Sequence, residues 1–403
     1  MGPVAVRTLP GRSVVCPDSP DNLARLADGR LVTQMRVAVG DMGHRVGGSN
    51  NASRTRGGTQ VQRLDGEAVR AWVQAATTAL DAARGALDSL NVFPVPDADT
   101  GTNLYLTLAQ GADEVAALDA AAPAAELLAA FAHGALVGAR GNSGVIASQF
   151  LLGLARGFDD GAVPDGVGLA RALDGAQRAA RTAVARPVDG TILTAATVAA
   201  SAAREAADAG AELDATASAA LHGAREALAR TRDELPALRA AGVVDAGAAG
   251  LVVILEALVG VLTGRPVPGI AQLEAGWRRG DGSPDPASGE HAAGGEHAAS
   301  DDLPPDGEFE VMFLVESSAP DLASVLSARL QAIGESVAVV GGPGVWQVHV
   351  HTDDPAAAVA AGGLGRQRQI TVRHLGRHAA QGHARGHGPA DGPGAARLMR
   401  RPR

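Results

Sequence analysis

The sequence predicts a large all-helical domain followed by a small α/β domain. Apolar residues recur at three- and four-residue spacing over residues 67–262, and no alternation of apolar and polar residues typical of a strand occurs in that range. A segment rich in Pro, Gly, Ser and Asp follows at 263–307 and reads as a flexible linker. Strand-like runs first occur after it, in a domain predicted at 308–376.

Eight helical segments are predicted in the large domain. The first runs from Glu67 to Leu90, where Val69, Trp72 and Val73 begin one apolar face. The others, separated by connectors that contain Gly or Pro, are 103–115, 124–136, 144–158, 168–185, 191–208, 215–228 and 246–262. The last is apolar enough to suggest a membrane span, but Glu256 lies at its middle, so we expect a buried helix and no transmembrane segment.

The small domain is predicted from two strands and one helix. Residues 308–316 and 345–351 are strand-like, and residues 321–333 between them have a helical pattern. The flanking segments 1–65 and 377–403 lack sustained periodicity, so we expect both to be disordered.

Composition excludes several classes of function. The net charge is −9 and 2% of the residues are aromatic, which argues against a nucleic-acid binder. The chain contains no lysine, which excludes a P-loop, a protein-kinase catalytic lysine and a pyridoxal Schiff base. The single cysteine, Cys16, excludes an intrachain disulfide.

The most informative loop is LNVFPVPDADTGTN at 90–103. It presents Asp97 and Asp99 directly before a helix, and two such carboxylates can converge on one Mg²⁺ ion. Thr100 and Asn103 then offer polar groups at a helix N-terminus, where phosphate is favoured. The alternative is an Asp-rich capping turn without a metal.

Three further loops also precede helices. They are GARGNSG at 138–144, RPVDGTIL at 186–193 and AGVVDAGAAG at 241–250. Each could instead be a simple turn between helices. Together with the first loop they could gather at one end of a helical bundle and form a nucleotide site that needs no lysine.

In this order, the four loops resemble the helical ATP-binding domain of the dihydroxyacetone kinase L-subunit family, and in particular the form of that domain found in bacterial fatty acid kinase. The resemblance implies an antiparallel barrel of eight helices that binds ATP at one end through two Mg²⁺ ions. It implies Mg²⁺ ligation by Asp97 and Asp99, with Asn91 near the position of a third ligand. The residues it implies around the nucleotide are Thr100, Asn103, Gly141, Asn142, Ser143, Gly144, Asp189, Thr191, Asp245 and Gly247.

Two positions depart from the family pattern. Ala98 stands where the family often has glycine, a change that we expect to be tolerated if φ there is negative. Asn91 replaces an aspartate, which lowers the negative charge available to a second metal ion.

The resemblance extends to the small domain through VHVHTDDP at 348–355. His349 and His351 alternate with valines, so on a strand both imidazoles point to one face and could bind Zn²⁺. Glu310 stands where the family often has a cysteine ligand. The alternative is a pair of solvent-facing histidines.

The resemblance implies a cytoplasmic kinase component that phosphorylates a fatty acid carboxylate presented by a fatty-acid-binding carrier protein; a homodimer is a further expectation. One alternative is phosphorylation of dihydroxyacetone (glycerone), although no trace of the domain that binds that substrate is visible. Another is a truncated, non-catalytic nucleotide-binding module, because the sequence after Pro355 does not resemble the usual C-terminal domain of the family.

Overall fold

The structure is a computed structural model that describes residues 63–158, 165–277, 307–342 and 344–375, together with two short strands near the N-terminus. The chain divides into two units, Met1–Thr55 and Arg56–Arg403. In the first unit, β1 (Thr8–Leu9) pairs antiparallel with β2 (Arg12–Ser13). The remainder of the predicted disordered segment 1–65, up to residue 62, lies outside the described residues, as do the predicted tail at 377–403 and most of the predicted linker.

The second unit begins with the helical domain. Its long helices are α1 (Gly66–Ser89), α2 (Thr100–Ala117), α3 (Ala124–Val137), α4 (Gly141–Arg156), α5 (Gly166–Thr182), α6 (Ile192–Asp208), α7 (Leu213–Glu234) and α9 (Ala246–Thr263), with the short α8 (Pro236–Ala241) between the last two. Each long helix packs against the next long helix in the chain, and α9 packs against α1. The eight long helices therefore close into a ring, as the all-helical prediction requires.

Alanine determines how closely these helices pack. Helix α6 buries Ala195, Ala199 and Ala203 on one face, and α7 buries Ala217, Ala220, Ala224 and Ala227. Small side chains allow close approach of neighbouring helices at little loss of side-chain entropy. Larger residues fill the centre of the domain, where Trp72 of α1 packs edge-on against Phe131 of α3 and donates a hydrogen bond to the Ile254 carbonyl.

Helix α9 is the most buried element of the ring. By length and composition alone it could cross a membrane, but 78% of its residues are buried inside the protein. The half-exposed Arg225 forms an ion pair with the buried Glu256 carboxylate at its middle. Packing within the helical domain therefore accounts for its apolar sequence.

The helical domain extends beyond the predicted boundary at residue 262. Helix α10 (Ile270–Trp277) occupies the start of the predicted linker. Leu273 and Trp277 are buried in the core of the helical domain, and Arg232 donates a hydrogen bond to the Trp277 carbonyl over 2.9 Å. The surrounding Pro and Gly residues hide this short amphipathic helix from a periodicity analysis.

The small domain contains one four-stranded antiparallel sheet of order β4-β5-β3-β6, as far as the described residues show. Its elements are β3 (Phe309–Ser317), α11 (Leu322–Gln331), β4 (Glu335–Gly342), β5 (Gly344–Thr352), α12 (Pro355–Ala361) and β6 (Arg366–His374). Helix α11 packs on one face of the sheet, where Val311, Phe313, Leu326 and Val348 belong to a single apolar core.

Sequence reasoning finds β3, α11 and β5 but misses β4, α12 and β6. The expectation that the chain loses structure soon after Pro355 is wrong, because α12 and β6 follow that residue. Strand β6 lies at an edge of the sheet, and its side chains Ile370 and Val372 are exposed. The bulge between Met312 and Leu314 of β3 breaks the alternation further, with φ of 51° at Gln369.

Candidate functional site

The four polar loops meet at one end of the helical ring. They precede α2, α4, α6 and α9, which are the second, fourth, sixth and eighth long helices. Short connectors make consecutive helices run in opposite directions, so every second helix begins at the same end of the ring. The four helix N-termini therefore face a common space.

That space is a cleft with a cavity volume of about 840 Å³. A volume of this size is typical of a site for a small molecule or cofactor. Most of the predicted site residues line it, including Asn91, Asp97, Asp99, Thr100, Asn103, Gly141, Asn142, Ser143, Thr191, Asp245 and Gly247. Apolar side chains, among them Val145, Ile146 and Ile192, form part of its wall.

Asp97 and Asp99 lie at the start of α2 and are largely buried. Their side chains are 10% and 17% exposed, respectively. Asn103 donates a hydrogen bond from Nδ2 to Oδ1 of Asp99 over 2.8 Å. Burial, together with the neighbouring Asp99 carboxylate, raises the pKa of Asp97 to about 7. Two adjacent carboxylates held in this way supply the oxygen ligands that Mg²⁺ prefers, so these residues fit the expected ion.

The backbone between these two carboxylates is left-handed. Ala98 has a φ of 54°, so the condition under which the replacement of glycine by alanine was expected to be tolerated does not hold. A residue with a Cβ atom is disfavoured in this conformation. The left-handed turn places Asp97 and Asp99 on the same side of the loop, where one cation contacts both.

Asn91 acts within the loop rather than at its surface. It is buried, and its Nδ2 donates hydrogen bonds to the Val95 carbonyl over 2.5 Å and to Oδ1 of Asp97 over 3.4 Å. The Thr100 hydroxyl donates to Oδ1 of Asn91. Asn91 therefore braces Asp97 and Thr100 in the structure.

The glycines of the second loop leave no room for side chains. Gly141 has a φ of 55°, and a Cβ atom there would lie 2.3 Å from Nδ2 of Asn103. A Cβ atom on Gly144 would lie 2.3 Å from Oγ1 of Thr107, the same hydroxyl that accepts a hydrogen bond from the Arg140 amide. Gly144 thus lies against α2 instead of lining the cleft, while Asn142 and Ser143 do line it.

The third loop separates its two predicted residues. Thr191 caps α6 by accepting a hydrogen bond from the Leu193 amide, and it faces the cleft. Asp189 is 76% exposed and forms an ion pair with Arg181 over 3.0 Å. Asp189 does not line the cleft.

The fourth loop buries a carboxylate in the cleft wall. Asp245 caps α9 by accepting a hydrogen bond from the Ala248 amide over 2.7 Å, and its own amide donates to Oγ1 of Thr231. Burial raises the pKa of Asp245 to about 6. A Cβ atom on Gly247 would lie 3.2 Å from both this carboxylate and Ile192, so glycine keeps the wall open there.

The sheet domain covers one side of the cleft. Met312, Ala338 and Val340 of the sheet form an apolar cluster with residues of the helical domain, namely Leu136, Ala139, Val145 and Ala183. An ion pair between Arg186 and Glu335 joins the two domains at the cleft. Glu310 and His351 also line it, so the cleft contains residues of both domains.

Arg373 on β6 reaches across to the carboxylates of the first loop. Its Nη2 atom lies 2.9 Å from Oδ2 of Asp97, its Nη1 atom contacts Oδ2 of Asp99, and its Nε atom lies 2.9 Å from Oε2 of Glu310. The carboxylates of Glu310 and Asp99 raise the pKa of Arg373, outweighing the opposite effect of burial. Sequence reasoning missed this residue because β6 itself was missed.

Glu310, His349 and His351 form a candidate metal cluster beside Arg373. One potential ligand atom from each lies within 4.8 Å of the others. Both histidines are buried, so the solvent-facing alternative is wrong. Neither ring nitrogen of His349 has a hydrogen-bond partner in the structure, and burial lowers its pKa well below the usual value. A neutral, unpartnered imidazole beside a carboxylate is suited to a transition metal such as Zn²⁺.

Asp88 was also not found from the sequence. It lies near the end of α1 and accepts hydrogen bonds from both the amide and the hydroxyl of Thr102, over 2.9 and 2.8 Å. Burial raises the pKa of Asp88. Asp88 therefore anchors the first turn of α2, next to the carboxylates of the cleft. Its position in a regular helix provides no sequence signal.

Two family models match the chain. The DAK2 domain matches residues 94–260, and the FakA-like middle domain, a domain of fatty acid kinase, matches residues 306–381. The first match covers the four loops of the cleft, and the second covers the entire sheet.

Similar curated proteins include protein YloV of Bacillus subtilis (strain 168), which is 33% identical over 300 residues, or 73% of this chain and 52% of that protein. An uncharacterised protein of Staphylococcus aureus (strain MRSA252) is 35% identical over 189 residues, or 47% of this chain and 34% of that protein. The chain thus spans about half the length of the first relative and a third of the second.

A search of solved structures finds the dihydroxyacetone kinase of C. freundii in complex with AMP-PNP and Mg²⁺. The two chains are 23% identical, with a TM-score of 0.37 and a coverage of 54% of this chain and 38% of that chain.

Proposed function

Because this chain belongs to the kinase-type family that joins a DAK2 domain to a FakA-like middle domain, we propose that it is the ATP- and Mg²⁺-dependent component of a kinase. The proposed acceptor is the carboxylate of a fatty acid held by a separate carrier protein. The proposal places the chain in the cytoplasm, where ATP and Mg²⁺ are available.

The observation that carries the proposal is the convergence of four helix N-termini on one cleft. Backbone amides at a helix N-terminus and the helix dipole both favour phosphate groups. Asp97 and Asp99 lie at the same end of the ring, and they would hold the Mg²⁺ that shields the phosphate charges. Such a site requires no lysine, in agreement with the composition of the chain.

The residues of the cleft have separable roles in this proposal. Thr100, Asn103 and Ser143 would contact the phosphates, since they lie at the starts of α2 and α4. Asp245 and Gly247 would lie near the ribose or base at the start of α9. Asn91 and Asp88 would keep the first loop in position through the hydrogen bonds described above.

The proposed acceptor removes the need for a general base. A fatty acid carboxylate is ionised at neutral pH, so no proton has to leave it before attack. One carboxylate oxygen forms a bond to the γ-phosphorus while the bond from that phosphorus to the β,γ-bridging oxygen breaks. The products are an acyl phosphate and ADP, and the protein contributes positioning and charge neutralisation.

We also propose that Glu310, His349 and His351 hold Zn²⁺ in the middle domain. The support is the unpartnered, buried His349 and the short distances within this cluster. The cluster lies beside Arg373 and the cleft, so the metal would stiffen the part of the sheet that borders the nucleotide site.

A trapping assay tests the proposed reaction. The full chain is mixed with Mg-ATP, hydroxylamine and oleate bound to a fatty-acid carrier protein, and acyl hydroxamate is measured. We expect hydroxamate with the natural chain and with Asp208→Asn, whose side chain is exposed at the end of α6, and none with Asp99→Asn.

Dihydroxyacetone serves as the second acceptor in the same assay. Its phosphorylation in place of oleate would support the glycerone kinase alternative. Binding of Mg-ATP without transfer to either acceptor would favour the non-catalytic module.

A further inference from the structure

The guanidinium group of Arg373 occupies the carboxylates that the proposed Mg²⁺ would use. Its two terminal nitrogens contact one oxygen of Asp97 and one oxygen of Asp99, and its Nε faces Glu310. The side chain is 23% exposed, so these contacts are partly shielded from water and from screening by salt. Guanidinium is always charged and forms a planar fork that matches two carboxylates.

The sheet fixes Arg373 in this position. Arg373 lies directly opposite Glu310 in the register between β6 and β3, and the two side chains form an ion pair. The other two arginines of β6, Arg366 and Arg368, instead pair with Glu316 near the far end of β3. Among the described residues of β6, Arg373 is therefore the one arginine that contacts the helical domain.

Arg373 and a divalent cation cannot occupy the same carboxylate oxygens. Direct ligation of Mg²⁺ by Asp97 and Asp99 needs short contacts, about 2.0–2.1 Å, to these oxygens. The positive charges of the ion and the guanidinium would also repel each other at this distance. Binding of the ion must therefore displace Arg373 from at least one of the two carboxylates.

We propose that Arg373 is a built-in counter-ion of the metal site, which pairs with Asp97 and Asp99 until a divalent cation displaces it. The inference rests on the proposed function, since it concerns the same metal site. Arg373 lowers the affinity for the free ion and holds the two carboxylates together before the ion binds. It also links metal binding to strand β6 of the middle domain. Arg373 is thus a positioning residue rather than a catalytic one.

Direct measurement of Mn²⁺ binding to the full chain tests this inference. Mn²⁺ replaces Mg²⁺ because its free form is quantified by electron paramagnetic resonance. The variants are Arg373→Gln, which removes the competing charge, and Arg368→Gln, which removes a matched arginine of the same strand that pairs away from the cleft. Zn²⁺ is removed beforehand, and His349→Ala in each background excludes Mn²⁺ binding at the neighbouring cluster.

We expect Arg373→Gln to bind Mn²⁺ at least fivefold more tightly than the natural chain, and Arg368→Gln to bind it with unchanged affinity. A purely structural role for Arg373 would leave the affinity unchanged or weaken it. If Arg373→Gln does not fold, Arg373→Lys replaces it. A lysine presents one compact ammonium group instead of a fork, so we expect a smaller increase in affinity with this variant.

Two failures are distinguishable. Equal or weaker Mn²⁺ binding by the folded Arg373 variant would overturn the inference and leave the proposed metal site intact. Absence of Mn²⁺ binding by the natural chain and by every variant would overturn the metal site, and with it both the inference and the proposed function.

Discussion

Nη2 of Arg373 lies 2.9 Å from Oδ2 of Asp97, although 276 residues separate the two in the sequence. This contact joins the edge strand of the sheet domain to the loop that precedes the second helix of the ring. The two domains thus share one cleft, and the carboxylates proposed to bind Mg²⁺ already have a cationic partner. Predictions about this cleft must consider both domains.

Replacement of Ala98 by glycine is expected to stabilise the protein by up to about 1 kcal/mol, because it relieves the left-handed backbone at this position. Urea denaturation measures the change. The control is Ala79→Gly in the middle of α1, where glycine should destabilise by about 1 kcal/mol. Equal destabilisation by both substitutions would show that the Ala98 backbone is not strained.

Removal of the Asp88 side chain should weaken both folding and nucleotide binding. Asp88→Ala leaves the Thr102 amide without its acceptor, so we expect a loss of about 1–2 kcal/mol in unfolding free energy and weaker ATP binding. Asp88→Asn should retain part of both. Asp81→Ala, at an exposed position of the same helix, is the control and should change neither. Unaltered ATP binding by folded Asp88→Ala would contradict the positioning role.

The pH dependence of stability should change on replacement of Asp245 by asparagine. The pKa of Asp245 is about 6 in the folded chain and 3.8 in the reference state, so the native state loses stability as pH rises through this window. The loss corresponds to about 3 kcal/mol as an upper bound. Because an asparagine oxygen can still accept the hydrogen bond from Ala248, Asp245→Asn should be more stable than the natural chain at pH 8.

This advantage should vanish near pH 4, where the natural Asp245 is protonated in the folded state. Urea denaturation followed by circular dichroism at both pH values measures it. A difference between the two chains that is the same at pH 4 and pH 8 would contradict the assigned cause.

Addition of Zn²⁺ should raise the thermal stability of the natural chain. Binding relieves His349, whose two ring nitrogens are buried without hydrogen-bond partners in the structure. Calorimetry should detect one Zn²⁺ per chain, and His349→Ala should lower the affinity at least tenfold. His222→Ala is the control, because His222 is exposed on α7. Failure of the natural chain to bind Zn²⁺ would contradict the assignment.

The sequence predicts the helical half of the site well because the signals there are local. Each of the four loops combines glycine or proline with polar residues just before a periodic apolar segment. Alternation of helix direction around the ring then brings the loops together without any further information. Thr191 and Asp245 are placed in the cleft by this argument alone.

The residues that sequence reasoning missed depend on contacts between distant segments. Arg373 reaches the cleft only because β6 pairs with β3 in a register that places it opposite Glu310. Strand β6 is an exposed edge strand with charged and polar residues on both sides of Ile370, so it lacks the alternation that identifies a half-buried strand. Asp189 shows the reverse case, a residue in a matching motif that faces solvent.

Calorimetric titration of ATP, with and without Mg²⁺, tests the central claim most directly. The samples are the natural chain, the double variant Asp97→Asn plus Asp99→Asn, and Asp208→Asn as a matched exposed control. We predict Mg²⁺-dependent ATP binding by the natural chain and by the control, and loss of that binding in the double variant. No binding by the natural chain, or equal Mg²⁺-dependent binding by the double variant, would contradict the assignment of this cleft as the nucleotide site.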